Sequence, residues 1–402
     1  MGSDKYSDST MVAQLFDRIF PTASLRARHE GAHLRVTNTE LFFDLVYVFA
    51  IIQLSHYLVA HPTWLGALEA VTLFAAIWWA WNYTAWAANW FDPDHPAGRI
   101  LMLVLMACAL LMAISIESAF EYRAWLFVSA YIAMALVRAG YMAGVLRGQT
   151  MGRNYAQLGA WSAFSGLFWI AGAHLPSARI ELWILAVLID YAAPYVGFWL
   201  PGAGHTPMAT WTLRGLHLLE RNQLVFIIAL GESILMLGAT MVEAELTSAA
   251  ITAAATGFLT IVSVWWIYFV HSASSGEEAF EHEAEQTRLA RASLAYAHGI
   301  MVGGAIVIAV SIEEIIAHPL EPAHIPTILA AVLGPSIFLL GNALFRCSTA
   351  GRWPLSYVLA IAVLAAIGLA AHLLHIPALA LGCLVLVVLL GLAFLPSCGR
   401  RK

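Results

Sequence analysis

Windows of apolar residues, each long enough to cross a bilayer, follow one another almost without a break from residue 40 to residue 395. A helix of about 20 apolar residues matches the hydrocarbon core. Windows of that kind lie at 40–60, 64–90, 98–117, 124–146, 155–174, 180–199, 213–240, 247–271, 289–316, 325–345, 354–374 and 376–395. Short stretches rich in Pro, Gly, Asp and Arg separate them, the thinnest being His375-Ile376-Pro377. Only helices or closed barrels satisfy their own backbone groups in lipid, and these windows have helix length. The expectation is an all-α polytopic membrane protein of about twelve transmembrane helices. Composition agrees, with 61% hydrophobic and 11% charged residues, against about 25% charged in soluble domains.

Charge and cysteine usage narrow the function classes. The formal net charge is −5, and no basic patch is large enough to follow a phosphate backbone, so nucleic acid is not an expected partner. Cys108, Cys347, Cys383 and Cys398 are scattered without CxxC or Cys/His spacing, so neither a metal nor a cofactor is expected. The run Glu277–Glu285 puts Glu278, His282 and Glu285 on one helical face; it reads as a solvated face rather than a metal site.

Residues 1–39 hold no continuous apolar run, and no cleavable signal is expected there. Val12, Leu15, Phe16, Ile19 and Phe20 share a helical face before Pro21, which predicts a short helix on the cytoplasmic surface. With the N-terminus inside, every Lys and Arg except Arg123, Arg138 and Arg179 falls on that same side. The positive-inside rule then places both termini in the cytoplasm and calls for an even number of spans.

Two stretches echo each other. Glu40-Leu-Phe-Phe-Asp44-Leu-Val-Tyr leads to Gln53, Ser55 and His56; Glu220-Arg221-Asn222-Gln223-Leu-Val-Phe leads to Gly231, Glu232 and Ser233. Further pairs recur in the same order: Trp78-Trp79 with Trp265-Trp266, Ser115-Ile116-Glu117 with Ser311-Ile312-Glu313, and Ala173-His174 with Ala371-His372. Ordered matches at a nearly constant offset predict two parallel six-helix repeats, related by an axis along the membrane normal. The expected organisation is a leader at 1–39, a first repeat at 40–200, a linker at 201–212, a second repeat at 213–395 and a basic tail at 396–402.

Ionisable groups inside spans are functional candidates by default. Glu232 comes first, expected near the bilayer midplane between Gly231, read as a site of close backbone approach, and Ser233. Gln53 is its counterpart, and His56, on the same face as Gln53, could shuttle protons. Asp44, pairing with Arg221 or Arg35, would sit at the cytoplasmic entrance. Glu40 and Glu220 lie in first helical turns, where negative charge complements the macrodipole, with Thr39 as a possible cap. Glu117 and Glu313 would form an outer mouth that attracts cations. Arg138 and Asp190, the remaining intramembrane charges, are expected to pair with each other. Trp64, Trp90, Trp125 and Trp183 read as interfacial anchors; Trp78, Trp79, Trp81, Trp265 and Trp266 lie deeper and read as packing.

The stretch Glu40–Ile51, taken with Glu220–Ser233, resembles the bacterial low-temperature-requirement protein A (LtrA) family over about residues 33–395. Where that family's second motif commonly reads Glu-Arg-His-Gly, this chain has Glu220-Arg221-Asn222-Gln223. The resemblance implies a multi-pass protein of the bacterial inner membrane. A fainter similarity, in architecture and in Phe43-Asp44, is to the lysosomal potassium channels built from duplicated six-helix halves. The leading expectation is proton-linked transport of a small solute or ion. The alternatives are a channel lined by helices 1 and 7, completed by a homodimer, and a membrane-embedded enzyme or sensor. Against an enzyme, no nucleophile motif or metal spacing is present.

Overall fold

The computed structural model describes residues 17–26, 35–282 and 286–394. Among them the regular structure is helical, with isolated bridges and no named strand. The main helices are α1 (Asn38–Ala60), α2 (Trp64–Ala88), α3 (Pro96–Ser115), α4 (Ala124–Val145), α5 (Thr150–His174), α6 (Arg179–Ala192) and α7 (Gly215–Glu243). They are followed by α8 (Ser248–Phe269), α9 (Ala273–His282), α10 (Gln286–Ala317), α11 (Ile325–Ala350), α12 (Leu355–Leu374) and α13 (Ala378–Phe394).

Nine helices among the described residues are long and apolar enough to cross a membrane: α1–α4, α7, α8 and α10–α12, with α8 and α9 counted as one stretch, Ser248–Glu281. Each of the remaining windows also holds a helix. Of these, α5 is long but more polar, α6 has 14 residues and α13 has 17. Large apolar side chains such as Leu103, Phe164, Leu167, Leu359 and Leu369 are exposed on the helices, as lipid rather than water as the solvent requires. This is a multi-pass membrane protein. The expected leader helix falls mainly outside the described residues; 17–19 are helical and end before Pro21.

The chain divides into two compact units, one of residues 1–50 and 75–218, the other of 51–74 and 219–402. The cut runs through α1 and α2, so the connecting end of that hairpin belongs to the second unit. In the first unit α3, α4, α5 and α6 pack as consecutive neighbours. Trp183, expected at an interface, is instead fully buried against Phe120, Phe127 and Trp169. Its Nε1 donates to the Trp169 carbonyl at 3.1 Å. Trp64 and Trp125 are exposed as expected. Trp78 and Trp79 are buried, whereas their sequence counterparts Trp265 and Trp266 are part-exposed.

In the second unit the closest seam joins α10 to α11. Glycines make it possible. A Cβ on Gly304 would lie 2.5 Å from the Phe338 nitrogen, one on Gly334 2.8 Å from the Ile308 nitrogen, and one on Gly341 2.8 Å from the Ala297 carbonyl. A π-helical turn, Arg291–Ala297, interrupts α10, and Pro335 lies inside α11. The break between α12 and α13 is real. His375 takes a left-handed conformation, the Ile376 N–H donates to the Ala371 carbonyl at 3.1 Å, and the Ala378 N–H donates to the Glu321 carbonyl at 3.0 Å.

Backbone contacts this short cannot absorb a methyl group. Gly304→Ala is expected to destabilise the protein by about 1–3 kcal/mol through overpacking. Gly140→Ala, where a Cβ meets nothing within 4 Å, should be neutral or slightly stabilising, since Ala outranks Gly in helices. Thermal melts of the two variants in the same detergent check the contrast.

Candidate functional site

The first unit gathers its polar groups around the start of α1. Thr37 Oγ1 accepts from the Glu40 N–H at 3.3 Å, and Glu40 Oε2 accepts from the Thr37 N–H at 2.9 Å. This reciprocal pair is a capping box. The cap is therefore Thr37, because a hydroxyl bonds the backbone three residues on; Thr39, the expected cap, donates instead to Asp94 at 3.1 Å. Glu40 is fully buried and does more than cap. Arg26 Nη2 donates to its Oε2 at 2.9 Å, and His217 Nε2 lies 3.1 Å from its Oε1. His217 Nδ1 is 3.2 Å from Asn89 Nδ2, which also donates to the Arg214 carbonyl at 3.0 Å. One carboxylate thus ties the segment before α1 to the ends of α2 and the start of α7.

Deeper in the same unit, Asp44 accepts from Trp81 Nε1 at 2.8 Å. Asp190 and Arg138 do not pair with each other. Asp190 accepts from Tyr131 Oη at 2.7 Å and from Ser165 Oγ at 2.6 Å. Arg138 Nη1 donates to the Ala80 carbonyl and to Thr84 Oγ1, each at 3.0 Å. Hydroxyls on α4 and α5 reach the Asp190 carboxylate, which α6 carries, and satisfy it without a counter-ion.

The second unit holds Glu232, 17 residues after Gly215 and 11 before Glu243 on α7, so mid-helix as expected. It is 2% exposed, and its Oε2 has no hydrogen-bond partner. Ser233 Oγ, equally buried, also has none. The contrast with other helical hydroxyls is informative: Ser55, Thr72, Thr84, Thr240 and Ser263 each donate to the carbonyl four residues back. No close approach occurs at Gly231, where a Cβ would meet nothing within 4 Å.

Along α7 this pair sits between two packed levels. On one side Phe226 stacks on Phe338 and meets Tyr268 edge-on. On the other, Leu237 and Ile312 press against Gly257. Gly257 and Ile312 also line a cavity of about 20 Å³ with Thr256, Thr260 and Ser311, room for about one water molecule.

Other expected positions separate. Gln53 is half-buried and His56 exposed, four residues from the end of α1. His56 therefore lies near that end of the helix. His56, Glu243 and Glu314 are within electrostatic reach of Glu313, whose Oε2 is inaccessible and unpartnered. Glu117 is exposed in the 3-10 turn after α3. Arg221 and Asn222 are buried at the start of α7, and Glu220 beside them is exposed.

The profile of the bacterial low temperature requirement A protein family matches residues 35–394, nearly the whole chain. The chain belongs to the LtrA family. It is 35% identical over 330 residues to an uncharacterized protein of Rhizobium meliloti (strain 1021), covering 81% of each chain. No solved structure gives a significant match.

Sequence reasoning missed Arg26, Asn89 and His217 in this LtrA-family protein. The available signal was His217, a turn before the Glu220-Arg221 motif, and Asn89, a polar residue closing an apolar span. Removing Glu40 would leave Arg26 and His217 buried without their acid. Glu40→Ala is expected to cost about 3–5 kcal/mol, Thr37→Ala about 1 kcal/mol, and Thr39→Ala less than about 0.5 kcal/mol. Thermal denaturation of the three variants should reproduce that order.

Proposed function

We propose that the protein moves a small polar solute or ion across the bacterial inner membrane in a proton-linked cycle, and that Glu232 is the group that takes up and releases the proton. One observation carries this reading: a carboxylate buried midway along α7, with an unpartnered oxygen beside an unpartnered serine hydroxyl. An ionised carboxylate in that setting needs water, a cation or a polar solute beside it; a protonated one does not. Proton uptake and solute release are thereby linked through a single oxygen. Ser233 Oγ, at the next helical position, can donate to or accept from a bound solute.

Around this centre the reading has twelve spans in two parallel repeats and cytoplasmic termini, supported by the ordered sequence pairs and the Lys/Arg distribution. Gln53 of α1 is the polar counterpart of Glu232 in the other repeat. Asp44, Arg221 and Glu220 stand toward the cytoplasmic ends of α1 and α7. Glu313, with His56, Glu243 and Glu314 around it, offers an acidic cluster at the outward ends of the second unit's helices.

The test is uptake of a panel of labelled amino acids, sugars and monovalent ions into proteoliposomes under an inward proton gradient. Saturable, gradient-dependent uptake is expected for at least one solute, falling to the level of empty vesicles in Glu232→Gln and retained in part in Glu232→Asp. Uptake that keeps its rate and pH dependence in Glu232→Gln overturns the assignment. Flux that neither saturates nor follows the proton gradient identifies a channel instead.

A further inference from the structure

Within the second unit, α11 carries a proline where a helix needs a donor. Pro335 lies inside the helix and has no N–H, so the bond that would run from residue 335 back to the Ala331 carbonyl cannot form. Ala331 and Pro335 both line the cavity of about 20 Å³ beside Gly257. The interrupted turn therefore borders open space rather than packed side chains.

The other oxygens on the wall are three hydroxyls from neighbouring helices. Thr256 and Thr260 belong to α8 and Ser311 to α10, and they are 7%, 6% and 5% exposed. Each hydroxyl has one proton and spends it inside its own helix. Thr256 Oγ1 donates to the Thr252 carbonyl at 2.8 Å, Thr260 Oγ1 to the Thr256 carbonyl at 2.9 Å, and Ser311 Oγ to the Ile308 carbonyl at 2.8 Å. Lone pairs are what remain for the cavity. Cys383 Sγ, 3.7 Å from Thr256 Oγ1, adds at most a weak S–H. The rest of the wall is apolar, Ile312, Ile315 and Val385 among it.

A wall of acceptors calls for a donor, and the volume admits one of about the size of water. Apolar cavities of this kind stay dry, whereas those offering about two to four polar partners hold water. A monovalent cation would meet the same oxygens, but no acid is among the lining residues, and nothing there offsets the desolvation of a bare charge.

We infer that one ordered water molecule occupies this cavity, donates to the Ala331 carbonyl and to a hydroxyl oxygen of α8 or α10, and so stands in for the N–H that Pro335 lacks. The bend of α11 is thereby tied through solvent to a helix it packs against. Neither Glu232 nor a transport cycle is needed for this site to be filled.

The experiment is a crystal structure of the full chain grown from lipid, at a resolution that shows ordered waters. In the wild-type protein a peak is expected about 2.8 Å from the Ala331 carbonyl oxygen and from at least one of the Thr256, Thr260 and Ser311 hydroxyls. In Pro335→Ala, where residue 335 regains an N–H for Ala331, that peak should be lost or weakened. A wild-type cavity without density overturns the proposal, whatever the variant does. So does an anomalous peak in the cavity after a thallium(I) soak, which identifies a cation site instead. A water that stays at full occupancy in Pro335→Ala is not a substitute for the missing donor and also overturns it.

Discussion

Water does not reach the hydrocarbon core of a bilayer, so every polar group taken into it must be answered from within the protein. The first unit shows how three buried acids are answered. Glu40 collects Arg26, His217 and the backbone of Thr37; Asp190 is held by a tyrosine and a serine; Asp44 takes an indole N–H. Asp190 shows the less costly form: its two hydroxyl donors are cheaper to desolvate than a second ion. In the second unit the buried acid Glu232 keeps an oxygen without a partner, as does the Ser233 hydroxyl.

Helix positions were legible from hydrophobic windows because bilayer thickness sets the length of each element. Partners were not, because a window says nothing about which helix lies beside it. Arg138 and Asp190 illustrate this. As the two conspicuous first-half charges they suggested each other, yet each bonds uncharged groups from neighbouring helices instead. Trp183 failed for a related reason: aromatic residues near the end of an apolar run suit an interface, and only the packing of Trp169 and Phe127 shows this one to be core. The cap at α1 was decidable from sequence, since the three-residue spacing of a capping box picks Thr37 over Thr39.

The two units solve helix packing differently. In the second, backbone meets backbone across α10 and α11 through Gly304, Gly334 and Gly341, the small-residue packing common between membrane helices. In the first, large rings fill the space: Trp79 stacks on Tyr191 at 3.9 Å between centroids, and Trp169, Trp183, Phe127 and Tyr131 form a continuous cluster. Trp78 and Trp79 belong to the ring-filled interior and are buried, whereas Trp265 and Trp266 of the second unit are part-exposed.

The π turn at Arg291–Ala297 carries a phase change along α10. Such a turn spends one residue more than the α-helix it replaces, so the segment before it is rotated by about 100° relative to an unbroken helix. Thr287, Leu289 and Ala290 can therefore face inward on one phase while His298, Met301, Val302 and Ala305 do so on another. A single-residue deletion within 291–297 would bring the two phases into one and swing the segment that precedes the turn around the axis of α10.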